Sequence, residues 1–286
     1  MKIIDLLHSG KPTLSFEVFP PKTEDKFASV ESATKEIAAL KPDFMSVTYG
    51  AGGGTSQFTV DLAEKLQQEY GVPMLGHLTC VSSTHDQVHR MLDTFKARGI
   101  ENVLALRGDI PEDGGKNEYH YASELIREIK NYGDFCVGAA CYPEGHVESK
   151  DKADDLKRLK EKCDEGVDFL TTQMFFDNAI LYRFLYRIRE IGILQPVCAG
   201  IMPVTNGKQM KRIGGLSGTE LPQRFKSILD KFGSTPKAMK QAGIAYATDQ
   251  IIDLLANGVT HIHVYTMNKP DIAAAILNNL SEILKV

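Results

Sequence analysis

No stretch of the chain approaches the roughly 18 consecutive apolar residues of a membrane span, so the sequence gives no support for an integral membrane protein. The opening "MKIIDLLHSG" holds too short an apolar run for a signal peptide, and no cleavage-type segment follows it. Cysteine is scarce. The five present, Cys80, Cys136, Cys141, Cys163 and Cys198, are an odd set without a C-x-x-C pair, which argues against a disulfide framework or a structural zinc site. Excess charge is missing too. A formal net charge of −4 supplies no global basic field, so nucleic acid and acidic membrane surfaces are not expected as partners, and any anion site must be local. The expectation is a soluble cytoplasmic protein.

What the sequence does contain is one pattern repeated eight times: a short β-rich apolar run, a polar or Gly/Pro loop, then a segment of helical periodicity. The runs are 13–20, 43–50, 72–80, 102–109, 135–143, 168–176, 196–204 and 261–268. The helical segments lie near 24–40, 56–70, 84–98, 121–131, 151–165, 178–191 and 235–257, with a last one from 270. Strict alternation requires parallel strands joined by crossovers, and eight units in 286 residues fit an α/β fold, a (β/α)8 TIM barrel forming a single domain over 1–286. The stretch at about 205–234 is then an elaborated seventh connection.

Period-2 alternation assigns faces to these strands. Ser15 shares a face with Glu17, Ser46 with Thr48, His77 with Thr79, Arg107 with Asp109, Thr171 with Gln173, and His263 with Tyr265. Most lie near the C-terminal ends of their strands, the end where barrel active sites are built. Unpaired polar groups in a core cost about 1–3 kcal/mol each, so packing alone does not explain their convergence on one rim. Gly108, between Arg107 and Asp109, allows a ligand to approach the backbone closely. "YGAGGGTSQ" opens as G-x-G but has Thr55 where a dinucleotide fingerprint needs its third glycine, and it reads as a rim loop. A basic helix carrying Lys150, Lys152, Lys157, Arg158, Lys160 and Lys162 follows "CYPEGH". Tyr142 and His146 at the mouth, together with that helix, could hold an aromatic ring and a pyrophosphate.

"SFEVFPPKTE", "SVTYGAGG", "GHLTC", "LALRGD", "YASEL", "YPEGH", "TTQMFF" and "GIMPV" occur in the order seen in methylenetetrahydrofolate reductases, and the chain resembles that family from about residue 13 to 269. The resemblance implies a barrel carrying noncovalent FAD. It further implies ping-pong reduction of 5,10-methylenetetrahydrofolate to 5-methyltetrahydrofolate, with NADH or NADPH as donor, in one-carbon metabolism and methionine supply. It makes Glu17 the acid and sets Thr48 near the nicotinamide. Tyr49, Ala51, His77, Arg107, Gly108, Asp109, Ala122, Tyr142, His146, Asp155 and Lys162 would surround FAD, with Arg158 on the same basic helix. Gln173, Gln209 and Lys269 would contact the folate, and Asp109 would meet the pterin while tuning the flavin. Ile213 departs from the pattern where an aromatic lid residue is expected, and Lys269 where an arginine is, replacing a bidentate fork by a point charge. The folate's five-membered ring must open to an iminium before it accepts hydride, and opening needs a proton on the departing nitrogen, which Glu17 would supply.

Two alternatives remain open on the residues alone. Glu17, His77, Asp109 and His146 could ligate a metal in a barrel lyase. The chain could instead be a flavin-bearing subunit of a larger electron-transfer complex. A homo-oligomer or a redox partner subunit is compatible with either.

Overall fold

Eight β-rich runs alternating with helical segments fit a parallel sheet rolled into a barrel with its helices outside, and the chain does close it. The computed structural model describes residues 1–21, 23–49, 56–110, 118–207, 210 and 219–286. Strands β1 (Thr13–Val18), β2 (Phe44–Val47), β3 (Met74–Thr79), β4 (Asn102–Leu106), β5 (Cys136–Cys141), β6 (Phe169–Thr172), β7 (Val197–Ile201) and β8 (His261–Tyr265) pair in sequence order, all parallel, and β8 pairs back onto β1. Around them run α2 (Phe27–Ala38), α3 (Ser56–Tyr70), α4 (His85–Ala97), α5 (Ala122–Tyr132), α6 (Lys152–Asp164) and α7 (Asn178–Glu190). They are followed by α8 (Gln223–Phe232), α9 (Pro236–Ala256) and α10 (Pro270–Leu280). A short α1 (Ile3–Leu7) precedes β1. Among the described residues no helix is long and apolar enough to cross a membrane.

Local chemistry explains where the helices begin. Thr84 accepts from Gln87 N while the Gln87 side chain accepts from Thr84 N, a reciprocal cap on α4. Asp151 accepts from the backbone of Ala153 and Asp154 to start α6, and Asp177 does the same for α7 from Ala179. Pro236 and Pro270 occupy first-turn positions that need no N–H. All eight expected helices form at the expected places. The strands stop one to four residues sooner than the apolar runs do, because the chain leaves the sheet where its loops begin.

The lumen is layered. Phe44, Leu75, Leu104, Cys136, Phe169 and Cys198 form an apolar floor, and Ile3 and Leu7 of α1 close it from below. Ile3 N donates to Asn102 Oδ1 at 2.7 Å, which fixes the plug to β4. Above the floor the inward positions turn polar, with Ser15, Glu17, Ser46, His77, Thr171 and His263 all buried. The outward faces of the strands pack on the helices through Phe16, Val18, Met45, Val47, Val103 and Ala105.

The connection after β7 carries α8, whose Phe225 packs with Phe176, Val204, Met210 and Met239 in a separate apolar cluster. Helix α9 lies directly on the backbone of this connection: a Cβ on Gly243 would sit 1.8 Å from the Val204 carbonyl oxygen. The five cysteines are free and buried.

Candidate active site

The polar layer opens into a cavity of about 1070 Å³ at the C-terminal mouth of the barrel. Glu17 reaches its wall from β1 and is only 8% exposed. Thr266 pins the backbone of this residue, donating through Oγ1 to the Glu17 carbonyl at 2.7 Å. Asn268 brackets the next turn by bonding both N and O of Phe19. The carboxylate therefore has a fixed base. Its Oε2 lies 3.5 Å from Ser46 Oγ, which donates to it, 3.6 Å from His77 Nε2 and 3.7 Å from His263 Nε2. His263 is itself held by Ser15 Oγ at 2.7 Å and Ser46 Oγ at 3.3 Å.

His77 does not form an ion pair with Glu17. Burial pushes its pKa down to about 4, overcoming the attraction of the carboxylate, so the ring is neutral. Its Nε2 is buried without a hydrogen-bond partner, as is Thr171 Oγ1 in the same wall. Two unpaired buried polar atoms facing one cavity are costly unless a ligand satisfies them. Tyr265 projects from β8 into the wall, its hydroxyl donating to Thr172 O at 2.6 Å.

A second cavity of about 550 Å³ adjoins the first and shares Arg107, Ile110, Tyr142 and His146 with it. The outer half is lined by Ala122 at the start of α5 and by Asp155, Arg158 and Lys162 of α6. Helical spacing puts these three on one face, whereas Lys157 and Lys160 point elsewhere and pair within the helix to Glu161 and Asp164. Lys162 is half-buried, the desolvation of its ammonium lowers its pKa, and that group donates to Ala140 O. Asp155 accepts from Ser149 Oγ at 3.0 Å. Tyr142 and His146 meet edge to face with centroids 4.6 Å apart, and burial pushes the Tyr142 phenol up to about 12.

Most of the residues singled out from the sequence converge here. Glu17, Thr48, Tyr49, His77, Arg107, Gly108, Asp109, Tyr142, His146 and Gln173 line the first cavity. Arg107 and Asp109 require a correction. They share parity with Val103 and Ala105, which face the helices, and inward parity on β4 belongs to Leu104. They reach the cavity because β4 ends at Leu106 and the chain turns through Gly108, at φ +87°, where a Cβ would press on Thr79 and Val81. Lys269 lies apart from both cavity walls and donates to Thr205 Oγ1 at 2.9 Å. Ala51, Gln209 and Ile213 are outside the described residues, as is most of the glycine loop.

The motif-based set omits Ser46, His263 and Tyr265, although alternation had put all three on polar faces. It also omits Glu148, whose carboxylate forks Arg107 at 2.6 and 2.8 Å and is held ionised by it. The available signal was an acid standing between "YPEGH" and a basic helix. A metal centre built on Glu17, His77, Asp109 and His146 finds no support, since among the described residues no group of three or more His, Cys, Asp or Glu side chains is arranged to hold a metal ion.

Comparison with known proteins gives concordant results. The family model for methylenetetrahydrofolate reductase matches residues 2–281. A 5,10-methylenetetrahydrofolate reductase of Pectobacterium carotovorum subsp. carotovorum is 35% identical over 271 residues, covering 95% of this chain and 91% of that protein. Methylenetetrahydrofolate reductase (NADH) 1 of Arabidopsis thaliana is 36% identical over 303 residues, covering 99% of this chain and 51% of its own length; the chain thus spans about half of the plant protein. Among solved structures, a Clostridium thermocellum protein that binds two copies of 5-methyl-5,6,7,8-tetrahydrofolic acid superposes with a TM-score of 0.70 at 15% identity, over 100% of this chain and 99% of that one.

Proposed function

The chain belongs to the methylenetetrahydrofolate reductase family, and from that premise we propose that it reduces 5,10-methylenetetrahydrofolate to 5-methyltetrahydrofolate, drawing electrons from NADH or NADPH through noncovalent FAD in a ping-pong cycle. The observation that carries this reading is the Glu17 carboxylate: a buried acid on a pinned strand end, opening on a cavity large enough for a ring system.

The residues fit a flavin dinucleotide. His77 Nε2 and Thr171 Oγ1 offer unused polar atoms where a ring would lie, and Gly108 brings backbone to the wall of the same cavity. Thr48, Tyr49, His77, Gly108 and Asp109 would hold the ring. Arg107, Ala122, Tyr142, His146, Asp155, Arg158 and Lys162 would take the phosphates and the nucleotide half. When bound, FAD supplies the two-electron carrier between donor and folate.

The chain's own part is proton transfer and orientation. Glu17 gives its proton to the departing nitrogen as the imidazolidine ring opens, and Ser46 Oγ then donates to the carboxylate left behind. Neutral His77 brings no competing positive charge to that oxygen. Asp109 at the mouth and Gln173 beyond β6 would orient the pterin, with Gln209 and Lys269 toward the rest of the folate. The cytoplasm suits five buried free thiols.

Anaerobic stopped-flow on Glu17→Gln tests the assignment one half-reaction at a time. Bleaching of the flavin absorbance by the nicotinamide donor should be little changed, whereas reoxidation by methylenetetrahydrofolate should slow by roughly 100-fold or more. Equal slowing of both halves would make Glu17 structural. Turnover by the isolated chain separates an enzyme from an electron-relay subunit.

A further inference from the structure

Among the described residues Arg107 is the one side chain of fixed positive charge shared by the two cavities, and it is already occupied. Both of its terminal nitrogens donate to Glu148, at 2.6 and 2.8 Å, and Nε donates to Gly108 O at 3.3 Å. A planar guanidinium fork of this kind accepts a carboxylate or a phosphate with the same geometry. The partners differ in burial: the Arg107 side chain is 21% exposed and that of Glu148 is 54% exposed. Glu148 can therefore rotate into solvent, but Arg107 would be left partly buried without an anion.

The surrounding charge sharpens the point. Among the described residues the second cavity is walled by four carboxylates, Glu148, Asp154, Asp155 and Glu161, against the basic side chains of Arg107, Arg158 and Lys162. Arg158 already has Asp154 and Glu161 at 3.7 Å. A diphosphate entering this cavity meets a wall that does not favour it while Glu148 holds the fork.

We infer that Glu148 is a displaceable counter-ion: it occupies the Arg107 fork in the empty protein and gives it up to a diphosphate of the cofactor, so that it sets how tightly the dinucleotide is held. This rests on the reading of the cavities as an FAD site. The exchange is non-covalent, an ion pair with Glu148 traded for one with a phosphate, and Glu148 moves into water. Its presence keeps the site ordered without ligand at a cost in affinity.

The test is calorimetric titration of the flavin-free chain with FAD and, separately, with ADP, which carries the diphosphate and no flavin. Glu148→Gln keeps the shape and removes the charge, and should bind both about tenfold more tightly than wild type. In an Arg107→Gln background, itself weaker in binding, the same change should have less than about a twofold effect, because no fork remains to be released. If wild type binds FAD but Glu148→Gln binds FAD and ADP no more tightly, the displacement inference falls and the flavin site stands. An equal gain in the Arg107→Gln background would reduce the effect to general charge removal and also overturn it. Wild type that binds no FAD would remove the flavin reading and this inference with it.

Discussion

At the scale of single residues, Glu17 meets two imidazole nitrogens and one hydroxyl at a single carboxylate oxygen, and the neutral state of His77 decides what this cluster does. His77 protonates near pH 4 when folded and near 6.5 when unfolded. Between those values the unfolded chain binds more protons, so this residue's contribution to stability is constant above about pH 6.5 and declines as the pH falls toward 4. From about pH 7 to about pH 5 the wild type should lose about 2 kcal/mol more than His77→Gln in urea unfolding. Equal losses would mean that the ring is not held neutral by burial. Asp109 gives a second prediction at this scale. A carboxylate beside a reduced flavin disfavours the anionic form, so Asp109→Asn should raise the flavin reduction potential while weakening folate binding. An unchanged potential in a flavin-replete variant would place Asp109 away from the ring.

At the scale of elements, the helices were the most legible part of the sequence, since their caps are local: Thr84 with Gln87, Asp151 and Asp177 act within three residues of themselves. Strand ends were less so. The apolar runs continue past the hydrogen-bonded ladders, and whether residue 107 is still sheet depends on what its neighbour strands offer. The α1 plug escaped notice because five residues carry too little periodicity, and its role exists only against the floor that six strands assemble. Ile3→Ala should destabilise the chain by about 2–4 kcal/mol, the usual range for truncating a fully buried aliphatic side chain, as read from urea midpoints. A similar test applies to α9, where Gly243→Ala forces a methyl onto the Val204 carbonyl. A loss of about 1–3 kcal/mol is expected, and an unperturbed midpoint would show that the helix can slide.

For the molecule as a whole, the two cavities adjoin through shared lining residues, and on the proposed reading of them as one FAD site, occupancy should appear as stability. FAD at about 100 times its dissociation constant should add about 2.7 kcal/mol to unfolding. FMN, lacking the nucleotide half that the cavity of about 550 Å³ would receive, should raise the melting temperature less at equal concentration. Released cofactor from the purified protein should chromatograph as FAD. Equal protection by the two flavins would leave Arg158 and Lys162 without a role in binding.

The sequence by itself determined the order of strands and helices, the identity of Glu17 as an anomalous buried carboxylate, and the family, because alternation, capping and ordered motifs are properties of short stretches. Closure of the barrel was inferred from the count of units rather than read from any residue. Only the tertiary structure decided which atoms meet. Ser15, Ser46, His77 and His263 lie far apart in the chain, and their approach to one another and to Glu17 depends on register across the closed sheet. The same holds for the pairing of Arg107 with Glu148 across 41 residues. Side-chain contact at such separations is fixed by the shear and closure of eight strands together, and no local signal encodes it.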